Sequence, residues 1–72
     1  MSTTVDARGL SCPRPVLMTM DTINVFSSGR IVILVDTDTA KENVIRAAGS
    51  KGWRVAQVTP DGVEYRIVIE KD

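Results

Sequence analysis

The sequence predicts a small two-layer α/β sandwich in the order β-α-β-α-β-β, a mixed four-stranded sheet with two helices on one face. Three observations carry that expectation. Two segments repeat apolar residues at three- and four-residue steps, the period of an amphipathic helix. Between them stands RIVILV, a short β-branched run apolar on both faces, as in a central strand. The chain closes on two strand-like segments about a Pro60-Asp61-Gly62 turn. Helical crossovers that join parallel strands of one sheet are right-handed, which puts both helices on the same side.

The first strand is expected at Thr3 to Ala7, where Val5 and Ala7 alternate with Thr4 and Asp6. Arg8, Gly9 and Leu10 then turn the chain. From Pro13 onward, Val16, Met20, Ile23 and Phe26 form a helical stripe, widened by Leu17, and Ser28-Gly29 supplies its stop. After the central strand, Thr39 and Glu42 have capping-box spacing, so a second helix is expected to start there. Val44, Ala47 and Ala48 give it a narrow apolar stripe whose small residues allow close approach to a sheet, and Gly52 ends it. The last two strands are read at Trp53 to Thr59 and Val63 to Glu70. In the latter, Val63, Tyr65, Ile67 and Ile69 share one face, and Glu64, Arg66, Val68 and Glu70 the other. Val32 and Leu34 or their alternates, together with Val68, are expected on the helix-free face, either as a docking or dimer surface or, more simply, as scattered surface aliphatics.

At 72 residues the chain is read as one domain, 1–72, of a size that buries only about 60% of its unfolded surface. One cysteine excludes an intramolecular disulfide, and the absence of histidine excludes the common zinc spacings and a Cys-His nucleophile pair. Nine basic and nine acidic residues cancel, which argues against direct nucleic-acid or anionic-membrane binding as the main role. The longest apolar run, Ile31 to Val35, is far too short for a bilayer span of about 20 residues. With a free thiol and no basic-then-apolar leader at Met1, the expected compartment is the reducing cytoplasm.

The one cysteine sits in SCPRPVL, beside two of the three prolines. A helix beginning here places Pro13 at its first position and Pro15 at its third, both positions that can do without an N–H. Cys12 is then the cap residue, and the Arg14 amide the donor left for its sulfur. A thiolate at a helix start gains from the partial positive charge there, as does a persulfide, and Arg14 and Arg8 add nearby positive charge. The competing reading is a small buried hydrophobe, the commoner fate of a lone cysteine. A redox-sensing thiol lacks a resolving cysteine within the chain.

Other candidates have plainer explanations. Asp36 and Asp38, spaced as paired carboxylates, are better read as helix-capping residues that rim the thiol site if the two preceding strands are parallel. Trp53 reads as core packing. Arg46, Lys51 and Arg54 suit the end of the second helix as a solvated basic face.

The stretch DARGLSCPRPVL, Asp6 to Leu17, resembles the CPxP signature of the TusA family of sulfur carriers, with its SirA-like and YedF-like members. KENVIRAAGSKGW, Lys41 to Trp53, looks more like the amino-terminal domain of YedF proteins, which are associated with selenium metabolism. The resemblance implies a carrier that needs no cofactor. Cys12 would accept a persulfide from a cysteine desulfurase and pass it to a downstream acceptor protein, with Pro13, Arg14, Pro15 and Arg8 shaping the site. It implies a cytoplasmic monomer or weak dimer, and for TusA proper a place in tRNA thiolation. Arg14 stands where TusA proper often carries an acidic residue, a difference that bears on which partner docks. The alternatives are a non-enzymatic interaction module that uses the open sheet face, and a selenium-related carrier.

Overall fold

The structure, a computed structural model, describes residues 2–11 and 13–72. Its elements are β1 (Ser2–Asp6), α1 (Arg14–Val25), β2 (Gly29–Val35), α2 (Asp38–Ser50), β3 (Arg54–Asp61) and β4 (Glu64–Lys71), the expected order. The sheet runs β1-β2-β4-β3, with β1 and β2 parallel and the other neighbours antiparallel. Both helices pack on one face and against each other.

RIVILV is central, as its two-sided hydropathy requires. Ile31, Ile33 and Val35 point into a core completed by Val5, Ala7, Ile23, Ala40, Val44, Ala48, Trp53, Ile67 and Ile69. Each buried branched side chain contributes roughly 1.5–3 kcal/mol of transfer free energy. Val32 lies outside that core cluster yet is buried, opposite Val68 on the helix-free face. Arg30 and Arg54 both reach Glu70, at 2.7 and 2.9 Å, so aliphatic stems and paired heads cover part of this face. Arg54 therefore does not belong to a free basic cluster with Arg46 and Lys51.

Helix α1 departs from the expected stripe. Its buried positions are Pro15, Thr19 and Ile23, with Val16 and Met20 half-buried, while Leu17 is 55% exposed and Phe26 41% exposed. The hydroxyl of Thr19 donates to the Pro15 carbonyl at 2.9 Å, which lets a polar residue sit in the core without an unpaired group. The helix stops at Phe26, whose extended backbone precedes Gly29, so the glycine opens β2 instead of capping α1.

Helix α2 also starts earlier than expected. Thr37 is its cap and accepts from the Ala40 amide at 3.0 Å; the Thr39-Glu42 box is not the one used. Its buried stripe is Ala40, Val44 and Ala48, with Ala47 only half-buried. At the other end Gly52, at φ 82°, donates to the Gly49 carbonyl while Trp53 donates to that of Ala48, a Schellman ending that turns Trp53 into the core. The β3-β4 hairpin turns at Gly62-Val63, with Pro60 and Asp61 still in β3 and Val63 left exposed.

Candidate functional site

Because β1 and β2 are parallel, their carboxyl ends emerge side by side, and the connections to α1 and α2 leave from the same edge of the fold. The ladder continues one step past β1, where the Ala7 amide donates to the Leu34 carbonyl at 2.9 Å. Beyond that step the backbone of the β1-α1 connection is held by carboxylates. The Arg8 guanidinium donates to Asp6 at 2.8 and 2.9 Å and to Glu64 at 3.2 Å, and the Arg8 amide donates to Asp6 at 3.2 Å. These bonds hold the Asp6 carboxyl at about 2, well below the ordinary range, and raise the Arg8 guanidinium further. The Gly9 amide donates to Asp36 Oδ2 at 2.8 Å. Gly9 has φ 76°, a left-handed conformation that suits only glycine here.

The two helix starts then face a shared groove of about 270 Å³, lined mainly by Leu10, Ser11, Pro15, Val16, Thr37 and Ala40. At the α1 start Pro13 is the cap residue, with φ −99° and ψ 18° and no side-chain bond. The Arg14 amide donates to the Ser11 carbonyl at 2.9 Å. At the α2 start Asp38 occupies the first turn, where a carboxylate suits the helix dipole. It accepts from the Tyr65 hydroxyl, which pushes the phenol above its ordinary value, and Lys41 lies 4.6 Å from the centre of the Tyr65 ring.

Two expectations are corrected by this geometry. The cap position falls on Pro13 and not on Cys12, which itself lies outside the described residues. The Arg14 amide, expected as the donor for sulfur, donates to the Ser11 carbonyl. Of the other site residues, Pro13 and Arg14 are exposed at the α1 start and Pro15 is buried beneath it. Arg14 has no ion-pair partner among the described residues, whereas Arg8 is engaged by two carboxylates. The Asp36-Asp38 segment does rim this end, through Asp36 on Gly9 and Thr37 in the groove. Among the described residues, no group of three or more His, Cys, Asp or Glu side chains could hold a metal. No helix among them is long and apolar enough to cross a membrane.

Residues 3–71 match the family model described as sulfurtransferase TusA. The chain belongs to the TusA family. It is 31% identical over 68 residues to the sulfur carrier protein TusA of Allochromatium vinosum, covering 93% of this chain and 90% of that one. It is 32% identical over 68 residues to YrkI of Bacillus subtilis, covering 93% and 91%. Among solved structures, a SirA-like protein from Desulfitobacterium hafniense superposes with a TM-score of 0.86 at 25% identity, covering 94% of this chain and 95% of its own.

In this TusA-family chain Leu10 and Ser11 lead from the carboxylate-held residues 8 and 9 toward Pro13, the cap of α1, and Pro15 lies inside the helix. Asp36 is the site-forming residue that sequence reasoning placed only loosely. Its bond to Gly9 spans 27 residues and depends on the parallel β1-β2 pairing.

Proposed function

We propose that the protein is a sulfur carrier whose Cys12 accepts a sulfur atom as a persulfide from a cysteine desulfurase and hands it to a downstream acceptor protein. The Cys12 thiolate attacks the outer sulfur of the donor's persulfide. A new sulfur-sulfur bond forms at Cys12 as the donor's own breaks, the donor leaves as a thiolate, and no net oxidation occurs. Delivery repeats the exchange, with the acceptor's nucleophile attacking the outer sulfur and Cys12 leaving as thiolate. No imidazole base is required, because the reactive species is already the anion.

The observation that carries this reading is the family match over residues 3–71, which includes the Cys-Pro-Arg-Pro stretch at the start of α1. The positive end of the α1 dipole and Arg14, which has no ion-pair partner among the described residues, support an anionic sulfur there. Pro13 and Pro15 stiffen the start, and Arg8 contributes through the fixed strap. The carrier works in the reducing cytoplasm, where a free thiol persists. Incubation with a desulfurase and cysteine should add one sulfur mass to the intact protein, mapped to Cys12 and lost on reduction. Cys12→Ser should gain nothing. A folded protein that stays unmodified with several desulfurases would overturn the reading, and full function in Cys12→Ser would favour an interaction module.

A further inference from the structure

We propose that Asp36 is a positioning residue for Cys12, fixing the strap that presents the thiol by accepting the Gly9 amide. The inference rests on the reading of Cys12 as the sulfur site. The strap from Ala7 to Ser11 has no regular secondary structure, and it is anchored at three places: Ala7 on the β2 backbone, Arg8 on Asp6 and Glu64, and Gly9 on Asp36. Among the described residues, only the Asp36 bond ties a strap amide to a side chain from the other βα connection. It therefore sets the strap's height against Thr37 and the groove between the two helix starts.

A bond from an amide to a carboxylate is charge-assisted and stronger than a neutral pair. Sulfur exchange between two proteins requires near-linear approach of one sulfur to another, and such steps are sensitive to misplacement of about 1 Å. Alkylation by a small freely diffusing reagent has no such requirement. Asp36 thus matters for transfer between proteins far more than for the reactivity of the thiol.

The test compares wild type, Asp36→Ala, Asp36→Asn, Gly9→Ala and the Asp36→Ala/Gly9→Ala pair. Three readouts are used: the rate of Cys12 persulfidation by a desulfurase with cysteine, the rate of Cys12 alkylation by iodoacetamide, and amide exchange at Gly9 in the folded protein. Asp36→Ala should slow persulfidation about tenfold and speed Gly9 exchange, with alkylation within about twofold of wild type. Asp36→Asn keeps a carbonyl acceptor and should recover most of the transfer rate. Gly9→Ala strains the left-handed backbone and should slow transfer by itself, and adding Asp36→Ala should cost little more, because both break one contact. Wild-type transfer in Asp36→Ala, or an Asp36→Asn as slow as the alanine variant, would overturn the inference while leaving the carrier reading intact. A wild type that never loads sulfur would take both down.

Discussion

The two helix starts face one groove and are built in opposite ways. Helix α2 has a threonine cap bonded to the Ala40 amide and an acidic first turn, so its amino end is already satisfied by its own side chains. Helix α1 has a proline cap with no side-chain bond, a second proline inside, no acidic residue in its first turn, and an exposed arginine instead. The difference separates the two ends: α2 is capped by its own side chain, whereas α1 has no side-chain cap bond, and the proposed function uses that uncapped end for sulfur.

The largest effect that could break this contrast is at the cysteine. Cys12→Ser should abolish sulfur acceptance, read by intact mass, without lowering the thermal midpoint, since the cap is Pro13. At the other start, Thr37→Ala should cost about 1 kcal/mol in urea denaturation through loss of the cap bond, with sulfur loading retained. Pro13→Ser sharpens the comparison by giving α1 a cap like that of α2. It should gain roughly 0.5 kcal/mol of stability and slow loading, because the hydroxyl competes with sulfur for the helix start.

A smaller effect is expected from Arg14→Glu. It puts an acidic group in the first turn of α1 and should slow iodoacetamide alkylation of Cys12 about two- to fivefold at neutral pH, with the gap closing at high salt. The smallest is an acid titration of the strap. Asp6 has its carboxyl lowered to about 2 by Arg8, so the contact's contribution is complete above the ordinary carboxylate value of about 4 and is lost as pH falls through about 2. Arg8 side-chain NMR shifts should therefore change in that window while the core signals of Ile33 and Ile67 hold. Both partners are exposed, so little global stability follows.

The sheet and the element order were legible because their signals are local and redundant. RIVILV is apolar on both faces, the last strand alternates, and Gly52 marks its helix end. Boundaries set by distant contacts were not legible. In Asp36-Thr37-Asp38-Thr39 either threonine has the chemistry of a cap, and the choice falls on Thr37 where Asp36 turns to Gly9 and Asp38 to Tyr65, each 27 residues away in sequence. Hydropathy placed Leu17 and Phe26 on the buried stripe of α1, where Pro15 and Thr19 are the residues enclosed. Thr19 is admitted only because Pro15 offers its carbonyl, a bond no apolar period encodes. At the site, the motif pointed to the start of α1, but the loss of the Arg14 amide to Ser11 and the engagement of Arg8 by Asp6 and Glu64 are tertiary facts. On the proposed reading, the field that favours sulfur comes from the helix dipole and the Arg14 charge.

The pH dependence of Cys12 alkylation by iodoacetamide tests most directly whether the start of α1 is kept for an anionic sulfur. The account predicts a midpoint at least about one unit below the ordinary thiol value of about 8.5. A midpoint at or above that value in the folded protein would contradict it.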